Sequence, residues 1–172
     1  MKKIVIASDS HGSARALRRI LAAEPDAWAL VFLGDGWRDL EGLQEEFPHL
    51  KLYWVLGNCD FTDQGPEEGL LPCEGVLFYY THGDRWHVKY GLASLANAAG
   101  VRGADVALFG HTHVPTREQL GGVTLFNPGS VGRAFNGQPT YGVALCQNGR
   151  VELEHRRVPA LWDQELGGSF ET

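Results

Sequence analysis

Five short apolar runs in this chain each stop abruptly, and within two residues comes a glycine or a residue able to bind a metal ion. Residues 3–8 run into Asp9-Ser10-His11, and 29–33 into Gly34-Asp35. Residues 52–56 are followed by Gly57-Asn58-Cys59-Asp60, 76–80 by Thr81-His82-Gly83, and 105–109 by Gly110-His111-Thr112-His113. Continuous apolar runs of this length, rich in Val, Phe and Tyr, read as strands buried on both faces. A strand covered on both sides needs layers above and below it, which confines the chain to a layered α/β architecture.

The segments between the runs agree. Ala14 to Ala23 places Leu17, Ile20 and Leu21 at helical spacing behind Ser13 as N-cap. Leu40 to Phe47 reads as a shorter helix, and Leu92 to Ala99 as a third. From Val114 onward the pattern changes to paired strands, 116–120 with 123–126 and 141–146 with 151–158, so this half is expected to be antiparallel. Asn148-Gly149 marks a hairpin turn between the last two strands. At 172 residues without repeat or linker, residues 1–172 are expected to form one domain, with the tail from Pro159 as an ordered edge or a frayed end.

Composition excludes several classes. Fifteen Lys and Arg against 21 Asp and Glu leave a net charge of −6, which disfavours non-specific nucleic-acid binding and anionic membranes. A phosphate-bearing substrate would have to be drawn by something other than overall charge, and a bound metal is the usual answer. Cys59, Cys73 and Cys146 form no CxxC pair, which argues against a disulfide framework or a zinc ribbon, and Cys73 and Cys146 read as plain strand residues. The first apolar run is too short for a signal-peptide core and no run approaches the ~20 residues of a membrane span, so a cytoplasmic protein is expected.

Taken singly, each polar cluster has an ordinary explanation, an Asp or Asn as a turn or cap residue and a His as a hydrogen-bonded surface or core group. Five in succession, all at the same end of an expected strand, are not explained by turn chemistry. In layered α/β folds the loops at strand carboxyl ends converge on one crevice.

In order and combination, Asp9-x-His11, Gly34-Asp35, Gly57-Asn58, His82-Gly83 and Gly110-His111-x-His113 resemble the calcineurin-like metallophosphoesterases, and most of all their small single-domain prokaryotic phosphodiesterases. The resemblance implies a four-layer α/β/β/α sandwich, a β-sandwich flanked by helices, that carries two metal ions. One ion would be held by Asp9, His11, Asp35 and His113 and the other by Asp35, Asn58, His82 and His111, with Asp35 bridging. Four protein ligands per ion leave room for water and substrate, as in a catalytic site. Imidazole and carboxylate without thiolate suit Mn, Zn, Fe or Ni, and Mn is expected first. The implied activity is hydrolysis of a small phosphodiester by a metal-bound hydroxide, with Asp35, Asn58, His82 and Cys59 in catalytic positions.

Cys59 departs from the wider family, where many relatives carry a His thought to protonate the leaving group, and it is open to two readings, catalytic or space-filling. Trp37, Arg85, Trp86 and His87 follow ligand-bearing turns and are candidates for a substrate wall or for packing anchors. Ser130, in Asn127-Pro128-Gly129-Ser130, is a further substrate-binding candidate on a segment that also reads as an ordinary turn. Asp60 and Asp84 are open to two readings, as partners of ligand imidazoles or as solvated loop charge, and His49 and His155 have no motif context. The competing functional class is a non-catalytic interaction module, since the fold also resembles the retromer scaffold subunit. Relatives of that kind tend to lack ligands, and this chain lacks none. A serine hydrolase and a nucleotide-binding module are excluded by the absence of G-x-S-x-G, G-x-G-x-x-G and a P-loop.

Overall fold

The protein, represented by a computed structural model that describes residues 1–160, is built on ten strands and three α-helices among the described residues. In chain order these are β1 (Lys2–Ala7), α1 (Ala14–Ala23), β2 (Ala29–Phe32), α2 (Leu43–Glu46), β3 (Lys51–Trp54), β4 (Glu68–Cys73) and β5 (Val76–Thr81). There follow α3 (Ala93–Val101), β6 (Val106–Leu108), β7 (Thr116–Leu120), β8 (Val123–Asn127), β9 (Thr140–Gln147) and β10 (Arg150–Arg157). One sheet has the order β10-β9-β1-β2-β3 and the other β4-β5-β6-β8-β7.

Alternation along each strand sorts the apolar residues into three cores. Ile4 and Ile6 of the first sheet face Phe78, Tyr80, Val106 and Leu108 of the second, and this layer closes the sandwich. Val5, Ala7, Leu30 and Phe32 point the other way, onto Leu17, Ile20 and Leu21 of α1. Tyr79, Ala107 and Leu125 likewise meet Leu95, Ala98 and Ala99 of α3. The layers are therefore α/β/β/α, as the doubly apolar runs require. Phe78 is fully buried in the inner core, and its loss to Ala would cost about 3–5 kcal/mol.

The expected elements differ in five places, the first being β3, which is not buried on both faces but is an edge strand with Leu52, Tyr53 and Trp54 half-buried. Leu40 to Phe47 is not one helix: a 3₁₀ turn at Trp37–Leu40 precedes α2, and Gly42, at φ 77°, separates them. Ser13 stands before α1, yet its hydroxyl makes no capping bond and the residue serves through its carbonyl, which accepts from Ala16 and Leu17. The chain after Val114 is antiparallel within β7–β8 and β9–β10, but β8 also pairs parallel with β6, because β7 takes the outer edge of its sheet. Strand β4, with buried Leu71 and Cys73 and an edge Pro72, escapes the sequence pattern because it is apolar on one face only. Asn148 and Gly149, at φ 52° and 77°, make the β9–β10 turn as expected. The tail reading falls mainly on residues 161–172, outside the described residues.

Candidate metal centre

The ligand-bearing loops follow β1, β2 and β3 in one sheet and β5 and β6 in the other, all parallel within their sheets, so they emerge at one end of the sandwich. Asp9, His11, Asp35, His111 and His113 all adopt positive φ, between 43° and 69°. Such left-handed geometry costs a non-glycine residue on the order of 1–3 kcal/mol and persists where the surroundings enforce it. Here the loops knit one another together. Asp9 N–H donates to the Gly34 carbonyl (2.9 Å), His11 N–H to that of Asp35 (3.0 Å), and Gly110 N–H to that of His82 (2.9 Å). Two of the motif glycines are dictated by close approach, since a Cβ on Gly57 would lie 2.2 Å from Asp35 Oδ1 and one on Gly110 2.7 Å from Asp9 Oδ2.

Two clusters result, Asp9 with His11 and His113, and Asp35 with His82 and His111, each with its donor atoms within 4.8 Å of one another. Asp9 Oδ1 lies 3.2 Å from His113 Nε2 and 3.7 Å from His11 Nε2. Asp35 Oδ2 lies 3.2 Å from His82 Nε2 and 3.9 Å from His11 Nε2, so it faces both clusters. Asn58 Oδ1 is 2.9 Å from His82 Nε2, and the other ring nitrogen of His82 is 2.6 Å from the Leu33 carbonyl. That carbonyl takes the Nδ1 proton and leaves Nε2 turned to the cluster.

Burial alone would raise the Asp9 carboxyl, but His11, His113, His82 and the Ser8 hydroxyl outweigh it and hold Asp9 far below the usual carboxylate range. Asp35 is lowered against its own burial, chiefly by His82. His82 is pushed up to about 9 despite burial, by the hydrogen bond to Asp35 and the charges of Asp9 and Asp35. His111 is lowered by burial and by the neighbouring His82 and Lys89. The cluster thus keeps two buried carboxylates ionised. Asp9 Oδ1 and His11 Nε2 are buried without any hydrogen-bond partner. Leaving such atoms unsatisfied costs about 1–3 kcal/mol each, and a cation between them removes that penalty. The residues fit a divalent transition metal: imidazole nitrogens and carboxylate oxygens converge, two of them, Asp9 Oδ1 and His11 Nε2, without hydrogen-bond partners.

Beside this centre lies a cavity of about 370 Å³ bounded in part by His11, Asp35, Trp37, Arg38, Cys59 and Phe61. Cys59 is exposed there, with its N–H on Asp35 Oδ1 (2.7 Å), which rules out the space-filling reading. Its thiol is pushed up by burial and by the Asp35 charge, so it holds its proton. Arg85 is exposed and paired with Glu67, at a separate depression of about 240 Å³ that includes Asn58 and Asp84. His87 is exposed on the following turn. Trp86 serves as a packing anchor: half-buried, it packs against the α3 core and donates through Nε1 to the Tyr79 hydroxyl (3.1 Å). Ser130 also corrects the sequence reading. It is 0% exposed, and its hydroxyl donates to the Asp9 carbonyl (2.8 Å) while accepting from Arg133 N–H (2.7 Å), so it holds a loop and touches no open space.

Supporting residues act in ways the sequence did not announce, and Asp60 fits neither of its two readings. Asp60 pairs with no imidazole; its two oxygens accept from the backbone N–H groups of Asp35, Gly36, Trp37 and Gly57 at 2.8 to 3.2 Å, tying two ligand loops together. Asp39 Oδ2 accepts from Ser10 Oγ (2.6 Å) and Gly12 N–H (2.9 Å) on either side of His11. Asn127 Nδ2 donates to the Gly110 carbonyl (2.9 Å), and His155, stacked on Phe126, lies 2.7 Å from the Asn127 carbonyl. The signal was present only for Asn127, as an Asx-turn residue before Pro-Gly.

The chain is 35% identical to the phosphodiesterase YfcE of Escherichia coli over an alignment of 191 positions that covers 96% of each protein. It is 35% identical to the probable metallophosphoesterase YsnB of Bacillus subtilis over 130 positions, 74% of each. The crystal structure of wild-type Vps29 from Entamoeba histolytica, complexed with zinc, shares the fold at a TM-score of 0.68 and 16% identity, covering 91% of this chain and 99% of that one. Residues 1–149 match the family described as the calcineurin-like phosphoesterase superfamily domain. With that match joined to the converging Asp, Asn and His loops, this chain belongs to the calcineurin-like phosphoesterases.

Proposed function

We propose that the chain is a metal-dependent phosphodiesterase that uses two divalent ions, with Mn as the favoured ion and Zn, Fe or Ni as alternatives. The observation that carries this reading is the pair of buried, unpartnered donors, Asp9 Oδ1 and His11 Nε2, inside a convergent set of imidazoles and carboxylates. Asp9, His11, Asp35 and His113 would hold one ion, and Asp35, Asn58, His82 and His111 the other. When bound, such a pair supplies a nucleophile at neutral pH and neutralises charge on the phosphoryl oxygens.

The chain's own residues do the rest. Leu33 fixes the tautomer of His82, Asp60 fixes the loop that carries Asp35, and Asn58 completes the second cluster. Trp37 and Cys59 bound the cavity in which the ester substituents lie, with Arg85 on the Asn58 side as an outer contact and His87, exposed on the following turn, as a further candidate. Cys59 Sγ–H is a weak acid beside that cavity. Weak acids assist poor leaving groups little, so diesters with good leaving groups are the preferred substrates over alkyl monoesters. A small phosphodiester, a cytoplasmic setting and one domain over residues 1–172 complete the reading, and the net charge of −6 speaks against non-specific nucleic-acid binding. No helix among the described residues is long and apolar enough to cross a membrane.

The likeness to Vps29 favours a second reading, a non-catalytic interaction module. A screen of metal-reconstituted protein over mono- and diesters separates the two. Metal-dependent turnover of diesters is expected; metal uptake without turnover of any ester would favour the module.

A further inference from the structure

The cavity beside Asp35 does not end at Trp37. A second depression, of about 460 Å³, is lined by Trp37, Arg38, Leu40, Glu41, Leu52 and Trp54, and it shares Trp37 and Arg38 with the cavity that contains His11, Asp35 and Cys59. Leu52 and Trp54 lie on β3, the edge strand of the first sheet, and with Trp37 they are only half-buried. The wall between the two depressions is held in place. Asp60 Oδ1 accepts from Trp37 N–H (3.2 Å) with the same carboxylate that grips the Asp35 loop, and the Arg38 guanidinium lies 5.5 Å from the Trp37 ring.

We infer that this depression is a subsite for an apolar or aromatic arm of the phosphodiester, seated along Trp37 and Trp54 while phosphorus lies at the candidate metal centre. The inference rests on the phosphodiesterase reading and names the substrate class within it. Two indoles and two leucines gain from apolar contact, and the ionic groups of the lining are those of Arg38 and Glu41. A polar arm would find side-chain partners there only in Arg38 and Glu41 and would lose water contacts along the Trp and Leu surfaces. The shared Trp37 wall makes the substrate the occupant, since whatever fills the depression touches the wall of the reaction cavity.

The test is a series of p-nitrophenyl phosphodiesters that differ only in the second arm: methyl, butyl and hexyl. With the leaving group constant, the arm acts through binding. Each buried methylene is worth roughly three- to fourfold, so kcat/KM should rise at least about tenfold from methyl to hexyl, mainly through KM. In Trp54→Ala and in Leu52→Ser the hexyl-to-methyl ratio should fall to within about threefold of unity. Both substrates are measured on the same protein, so a partial loss of folded enzyme cancels from the ratio. If Trp54→Ala does not fold, Leu52→Ser and the wild-type series decide. A wild-type ratio near one, or a ratio kept in both variants, overturns the inference. A kept ratio accompanied by a change in oligomeric state would assign the depression to contact between copies, which also overturns it. Calorimetric titration with hexyl phosphate and methyl phosphate reads the subsite without turnover. Should no diester be hydrolysed with any of the four metals, the phosphodiesterase reading fails, and a hexyl preference that disappears in Leu52→Ser still supports the subsite, while equal binding of the two overturns it.

Discussion

Two buried carboxylates, Glu24 and Asp9, are treated in opposite ways by this fold. Glu24, 4% exposed at the end of α1, accepts from Arg156 (2.7 and 2.8 Å), Lys3 (3.0 Å) and the Tyr141 hydroxyl (2.6 Å), so α1, β1, β9 and β10 all converge on it. Asp9, 0% exposed, has Oδ2 occupied by the Ser8 hydroxyl and the His111 N–H, whereas Oδ1 has no hydrogen-bond partner. The same chain that surrounds one buried charge with donors leaves the other open toward three imidazoles. A fold able to satisfy a buried carboxylate this fully leaves one unsatisfied only where something else completes it. The Glu24 end is built for stability and the Asp9 end for a cation.

The largest effect should come from the carboxylate that faces both clusters. On the proposed ligand set, Asp35→Ala would remove a ligand from each ion and should lower kcat/KM for diesters by about 10³-fold or more, with loss of metal uptake. Full metal-dependent turnover in this variant would break the comparison at its functional end.

At the other end, Glu24→Gln should leave metal uptake intact and destabilise the fold by about 3 kcal/mol at neutral pH, measured by urea unfolding. The pH dependence follows from the carboxyl, which Tyr141, Arg156 and Lys3 hold below its ordinary 4.5 despite burial. Its stabilisation is complete above that value and is lost as pH falls through the lower folded value, so wild type and variant should converge in acid. A gap that widens in acid would contradict the sign.

Asp60 sits between these cases, a carboxylate satisfied entirely by the backbone of the ligand loops. Asp60→Ala should reduce kcat/KM by about 10- to 100-fold and weaken metal binding, with partial rescue by Asn, which keeps one acceptor. A change in urea stability alone, with kinetics intact, would move Asp60 to the structural class of Glu24.

The smallest effect is expected at Cys59. Cys59→His should raise turnover of poor-leaving-group esters by about tenfold or less and that of aryl diesters less still, since imidazole donates a proton near neutral pH more readily than a thiol raised by burial and Asp35. Rates across leaving groups of graded pKa read this, and equal gains for all of them would remove Cys59 from the proton path.

The convergence of the Asp, Asn and His loops was legible in the sequence because its signal is local and repeated: four of the five apolar runs are inner strands, β3 being an edge strand, and a potential ligand within two residues of every run is a pattern that single turns do not produce. A layered α/β architecture followed from the same runs, and the four-layer sandwich from the family resemblance. What was not legible depends on partners distant in sequence. Ser130 looked available because Ser in a Gly-containing turn usually is, and only the packing of its loop on Asp9 buries it. Asp60 and Asp39 act by capping backbone N–H groups, a task any loop Asp can perform and no spacing announces. Strand β4 was hidden because an edge strand, apolar on one face and interrupted by Pro72, resembles a loop.

The central claim is that Asp9 Oδ1 and His11 Nε2 are completed by a metal ion. Native mass spectrometry of metal-depleted protein after titration with Mn²⁺ tests it most directly, because it counts ions without assuming a substrate. Two bound Mn ions per chain, reduced to one or none in Asp9→Ala and unchanged in Glu24→Gln, is the predicted result. A wild type that takes up no ion, or an Asp9→Ala variant that still takes up two, would contradict it.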